Sequence, residues 1–101
     1  MKQIDVTFAR IYLTEADGRL AGLLARLHDE EQVRGVTVFR GISGFGVSGK
    51  MHSSTLMDMS LDLPLVIEFF DSPEKVSTII AHIEEDIGAG RIVSWPASLL
   101  V

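Results

Sequence analysis

The densest run of residues able to do chemistry is Arg40-Gly41-Ile42-Ser43-Gly44-Phe45-Gly46-Val47-Ser48-Gly49-Lys50-Met51-His52. Five of the nine glycines fall between Gly35 and Gly49, where the backbone must take positive φ or admit close approach by another segment. Gly44-Phe45-Gly46-Val47-Ser48-Gly49 has the letters of a dinucleotide fingerprint. That fingerprint needs a helix directly after it within a parallel βαβ unit, and the following residues do not read as one. Gly44, Gly49 and Lys50 have the spacing of a phosphate-binding P-loop, yet the next residue is Met51, which has no hydroxyl to ligate magnesium. The plain alternative for the whole run is a hairpin excursion that uses its glycines for turns.

Other chemistries find less support. His28 and His82 fall on helix-like segments and His52 in the glycine-rich run, and no pair has metal-ligand spacing. No serine sits on a nucleophile-elbow pattern. Thr14-Glu15-Ala16-Asp17-Gly18, where an acylphosphatase would carry its phosphate loop, is acidic and would repel a phosphate.

The elements that must position these residues follow from periodicity. Ile4, Val6 and Phe8 alternate with Asp5 and Thr7, the pattern of a strand over Ile4 to Leu13. The apolar parity then shifts to Ile11 and Leu13, which predicts a bulge near Arg10. Leu20, Leu23, Leu24 and Leu27 make one stripe of a helix from Asp17 to about Gln32, with Asp17 as N-cap. A second strand runs from Val36 to about Ile42, and Ser43 to Leu61 has no clean period. A third strand covers Leu63 to Phe70, with Pro64 near its start. Ser72 caps a second helix with Pro73 at its first position, and Val76, Ile79, Ile80, Ile83 and Ile87 form the buried stripe. Gly88 ends that helix, and Arg91 to Trp95 is a short fourth strand.

The order β-α-β-β-α-β predicts an α+β, ferredoxin-like sandwich in a single domain, residues 1–101. An antiparallel four-stranded sheet would carry both helices on one face. Leu63, Leu65, Ile67 and Phe69 point one way, but Val66 and Phe70 point the other, as Phe39 opposes Val36 and Val38. A sheet apolar on both faces needs a second cover, for which another subunit is the expected source.

Composition narrows the function. The chain has 101 residues, 47% hydrophobic and 23% charged, enough for one packed core. Nine Lys and Arg against fourteen Asp and Glu give a net charge of −5, which argues against nucleic acid as a partner. No cysteine is present, so disulfides and thiolate metal sites are excluded. Met1 to Arg10 lacks signal-peptide character, and no apolar run reaches the roughly 20 residues of a membrane helix, so the expected location is cytoplasmic.

Arg40-Gly41-Ile42-Ser43-Gly44-Phe45-Gly46, with Gly49, His52, Ser53 and Asp62-Leu63-Pro64-Leu65-Val66-Ile67-Glu68, resembles the PII-like group known as domain of unknown function 190. These are relatives of the PII nitrogen-signalling proteins, and the resemblance covers Ile4 to Trp95. It implies a homotrimer whose three sheets face a central core. It also implies a T-loop, the mobile effector arm, at residues 47–61. The loop Ile87-Gly88-Ala89-Gly90-Arg91 would join the T-loop base of a neighbouring subunit around an adenine nucleotide. The ligand-binding residues carried over are Gly44, Phe45, Gly46, Glu68, Gly88, Gly90 and Arg91. Arg91 stands where PII proteins have a phosphate-contacting lysine, and Glu68 matches an acid near it, which implies a Glu68–Arg91 pair.

Two departures weigh against ATP and favour AMP or ADP. Leu65 stands where PII proteins have a lysine after the Leu-Pro pair, and no arginine pair follows before Val101. The function implied is a non-enzymatic regulator that binds a small-molecule effector and acts on a partner. A membrane transporter or channel is the expected partner, since relatives accompany fluoride-exporter genes. The alternatives are an interaction module without a ligand and, more remotely, an enzyme using the intersubunit cleft.

Overall fold

The structure is a computed structural model that describes residues 1–53 and 62–101. Strand β1 spans Gln3–Thr14 and is followed by a 3-10 turn, Glu15–Asp17. Helix α1, Leu20–Ala25, continues into a wider π-type turn, Arg26–Glu30. Then come β2 (Gly35–Arg40), β3 (Ser43–Gly44), β4 (His52–Ser53), β5 (Pro64–Asp71), α2 (Pro73–Ile87) and β6 (Ile92–Leu100). The main sheet has the order β2-β5-β1-β6, with every neighbouring pair antiparallel. This is a ferredoxin-like sandwich, with both helices on one face. The two-residue strands β3 and β4 form a small separate ladder within the segment that shows no period in sequence.

The core lies between sheet and helices. Ala9, Ile11 and Leu13 of β1 and Leu65, Ile67 and Phe69 of β5 meet Leu23 and Leu27 of the first helical segment. Val76, Ile79, Ile83 and Ile87 of α2 complete the cluster, while Val36, Val38 and Ile80 pack at its margin. Helix α2 begins as its sequence dictates. The Ser72 hydroxyl accepts from the Lys75 N–H at 3.3 Å, and Pro73 occupies the first turn, where no N–H is needed.

Four expectations change. Strand β1 has no bulge at Arg10: it pairs without interruption with β5 from Thr7 to Thr14 and with β6 from Gln3 to Ile11. The apolar parity shifts because β1 feeds two faces, Ile4, Val6 and Phe8 on one and Ala9, Ile11 and Leu13 on the other. Asp17 does not cap α1, since its carboxylate accepts from the Thr14 N–H at 2.8 Å and closes the preceding turn. Strand β2 stops at Arg40, where the chain turns away and the Gly41 N–H donates to the Pro64 carbonyl at 2.8 Å. Strand β6 runs on to Leu100 through Pro96, which a sheet tolerates because β6 is an edge strand.

The face away from the helices is also largely apolar. Phe8 stacks on Phe70 at 4.9 Å between ring centroids and on Trp95 at 5.6 Å, a row across three strands. Tyr12, Phe39 and Val93 are 44%, 48% and 50% exposed on the same face, which no described element of the chain covers. In its middle Arg10 Nε donates to Glu68 Oε1 at 2.9 Å, and the Arg10 guanidinium lies 5.4 Å from the Trp95 ring centroid.

Gly35 lies opposite Phe70 in the register, and a Cβ there would sit 2.4 Å from the Phe70 ring. That ring is held by Phe8 and cannot swing aside without breaking the stack. Gly35→Ala should therefore destabilise the fold by about 1–3 kcal/mol in urea unfolding. Gly22→Ala, in α1 with open space around the new methyl, should instead stabilise by about 0.5–1 kcal/mol. Equal effects at the two sites would show that the Phe8–Phe70 stack does not constrain β2.

Candidate functional site

At one end of the sheet, the C-terminal residues of β1 meet two loops. The first follows α2: Gly88 and Gly90 take φ of 93° and 82°, values that favour glycine, so the chain reverses within three residues. The Gly88 N–H closes the helix on the Glu84 carbonyl at 2.9 Å. The turn delivers Arg91 to β1, where its carbonyl accepts from the Tyr12 N–H at 2.9 Å. The second loop is the chain after β3. Phe45, Gly46, Val47 and Ser48 border the same space as Tyr12, Leu13 and Thr14.

Together these segments line a cleft of about 590 Å³, completed by Pro64, Ala89, Gly90, Arg91 and Val93. Small-ligand pockets run from roughly 300 to 1,000 Å³, so the space suits a nucleotide-sized molecule. Its lining combines aromatic and aliphatic side chains with backbone donors at glycine turns and one arginine. A neighbouring depression of about 450 Å³ lies between α2 and β6, but Glu84 and Glu85 line it and make it a poor place for an anion.

Of the expected site residues, the structure brings Phe45, Gly46, Gly90 and Arg91 to one cleft within a single chain. Gly44 stands beside it in β3, paired with His52, and Gly88 borders the adjoining depression. Glu68 is not among the cleft's lining residues. It lies on the open sheet face with Arg10, which β1–β5 pairing sets directly opposite it. The expected Glu68–Arg91 pair is therefore replaced by Arg10–Glu68 and by Arg91–Asp17, the latter at 3.0 Å. Of the expected excursion at 47–61, residues 54–61 lie outside the described residues.

Asp17 is the residue that sequence reasoning placed in the wrong role. The Thr14 N–H bond, and after it the Arg91 guanidinium, hold its carboxyl below the ordinary carboxylate range despite some burial. It is thus ionised at neutral pH and partly neutralises Arg91. Arg40 is similarly engaged, with Nε 3.1 Å from Glu15 Oε1. No group of three or more His, Cys, Asp or Glu able to hold a metal occurs among the described residues. His82 lies 2.9 Å from Glu31 and His28 2.7 Å from Asp29, both on the outer helical surface. No helix among the described residues is long and apolar enough to cross a membrane.

Comparison with known proteins agrees with this architecture. Residues 6–99 match DUF190, a family described as uncharacterized ACR. A UPF0166 protein of Methanocaldococcus jannaschii is 32% identical over 89 residues, 83% of this chain and 81% of that protein. Among solved structures, CPII from Thiomonas intermedia K12 bound to ADP and bicarbonate has 25% identity and a TM-score of 0.65. The similarity covers 99% of this chain and 91% of that one. A second structure of CPII, a nitrogen regulatory PII-like protein, bound to ADP, AMP and bicarbonate, has 24% identity and a TM-score of 0.67 over the same shares. Matched from the middle of β1 almost to the end of β6, the chain belongs to the DUF190 family and has the fold of PII-like proteins.

Proposed function

We propose that this chain is a cytoplasmic, single-domain PII-like regulator that assembles as a homotrimer and binds ADP or AMP in the cleft around Arg91. The observation that carries the reading is the convergence of Ala89, Gly90 and Arg91 with Phe45 and Gly46 on one cleft. Glycine turns let backbone N–H groups approach a phosphate closely, and Arg91 supplies the matching charge. Phe45, 70% exposed at the rim, offers a face on which a base can stack. The ADP and AMP bound by CPII, a similar fold, support the choice of ligand. The acidic neighbours Glu15 and Asp17 disfavour ATP, since each added phosphate charge meets repulsion.

The open sheet face supports assembly. Phe39, Tyr12, Val93 and the Trp95–Phe8–Phe70 row would be covered by neighbouring copies, which would also complete the cleft from outside. Residues 47–61 would act on a partner, and the family resemblance implies a membrane transporter or channel. The cleft offers recognition groups rather than a nucleophile with its base, so the proposal is of a binding protein and not of an enzyme.

Light scattering should return three times the 11.1 kDa chain mass at micromolar protein. Phe39→Asp should lower it to that of a monomer, because the trimer would bury an unpaired charge. A monomeric wild type, or an intact Phe39→Asp trimer, would remove the sheet face from the assembly.

Calorimetric titration tests the ligand. A charge-assisted hydrogen bond contributes about 1.5–3 kcal/mol, so Arg91→Ala should weaken ADP or AMP binding roughly ten- to a hundredfold with the oligomer unchanged. ATP should bind no better than ADP. If no nucleotide binds or raises thermal stability, the protein is an interaction module without this ligand.

A further inference from the structure

The turn Glu15–Asp17 carries two carboxylates, and each is committed to an arginine from a different part of the chain. Asp17 Oδ2 accepts from Arg91 Nη1 at 3.0 Å, and Glu15 Oε1 lies 3.1 Å from Arg40 Nε. The turn's backbone reaches a third place. The Glu15 N–H donates to the Leu63 carbonyl at 2.9 Å, and the Ala16 N–H donates to Asp62 Oδ1 at 2.7 Å. Three residues therefore join the cleft arginine, the end of β2 and the segment through which the chain returns to β5. None of the three is buried, so these polar contacts, not packing, fix where the turn sits.

We infer that this turn is the cleft's internal counter-ion. Asp17 holds Arg91 when the cleft is empty, an anionic ligand displaces it, and the turn passes that change to Arg40 and to Asp62–Leu63. The inference rests on the reading that Arg91 receives the ligand's phosphate. Exposure sets the order of events: the Arg91 side chain is 43% exposed and that of Asp17 is 23%. Asp17 is also held from behind by the Thr14 N–H, so Arg91 is the partner free to turn toward a ligand. A phosphate on Arg91 would then lie within a few ångströms of the ionised Asp17, and the two anions repel. The repulsion grows with ligand charge, which makes Asp17 a determinant of specificity as well as a latch. Losing its arginine removes one of the few bonds that place the turn, and the bonds to Arg40 and Leu63 are the next to loosen.

Asp17→Asn in the full chain tests this, because asparagine still accepts from the Thr14 N–H but lacks the charge. In calorimetric titrations the variant should bind adenosine as the wild type does, AMP about threefold tighter and ATP about tenfold tighter, the gain rising with ligand charge. An equal gain for all ligands, adenosine included, would mean a structural effect, and no gain would remove the counter-ion role. Hydrogen exchange gives a readout independent of affinity. In residues 14–17 and 38–46 the ligand-free variant should exchange several-fold faster than ligand-free wild type, and ADP should accelerate the wild type toward that rate. If the wild type binds no nucleotide, the ligand assignment fails by itself. Ligand-free Asp17→Asn then still decides the linkage, since unchanged exchange overturns it and faster exchange supports it. Should Asp17→Asn not fold, Arg91→Gln breaks the same pair from the exposed side and gives the same exchange readout.

Discussion

Strand β1 is hydrogen-bonded along both edges, to β5 on one side and β6 on the other, and both faces of the sheet take their shape from that position. Alternation along a strand sends successive side chains to opposite faces. Ala9, Ile11 and Leu13 therefore meet the helices, while Phe8, Arg10 and Tyr12 build the open face. With all three core residues fully or nearly fully buried, the register cannot slip by one residue without exchanging the two sets. The same constraint fixes the cleft, because the β1 backbone at Tyr12 is where Arg91 attaches.

Electrostatics at that end of the sheet is a matter of shared charges. Arg91 lines the cleft and Arg40 ends β2, and both are bound to carboxylates of one short turn. A cleft with free arginines would attract any polyanion. One whose arginines are already engaged favours a ligand able to offer a better-placed acceptor, and geometry then counts for more than total charge. At a net charge of −5 the chain gives polyanions no wider attraction.

Much of the fold was legible because it rests on local signals. Helix α2 has its cap, its proline and its isoleucine stripe where the sequence puts them, and Val66, Phe70 and Phe39 correctly marked the second apolar face. Strand β6 runs past its expected end at Trp95 and through Pro96, and only the sheet order shows that it stands on an edge, where a proline is tolerated. Arg91, Gly90, Gly46 and Phe45, singled out through resemblance, line one cleft, but resemblance carries positions and not partners. Partners depend on register: Glu68 faces Arg10 because β1 and β5 align that way, and a single sequence does not contain that alignment. Asp17 was misread because its position before a leucine stripe is that of an N-cap, while its carboxylate accepts from the Thr14 N–H three residues earlier and from Arg91, 74 positions on.

The Arg10–Glu68 pair bears on how the open face can be covered. An isolated charge in the middle of an apolar surface would make covering that surface costly, since burial strips its water. Here Glu68 holds the guanidinium by a hydrogen bond that pushes the Arg10 pKa up. The Trp95 ring also lies within cation–π range of it. Glu68 is itself already largely enclosed, with 18% of its side chain exposed. The pair thus presents as a neutral unit, and another surface can cover it without leaving either charge alone. Replacing one partner would remove that property, while replacing both with apolar residues would preserve it. The pair is therefore better understood as a condition on what may cover the face than as a source of stability for the single chain.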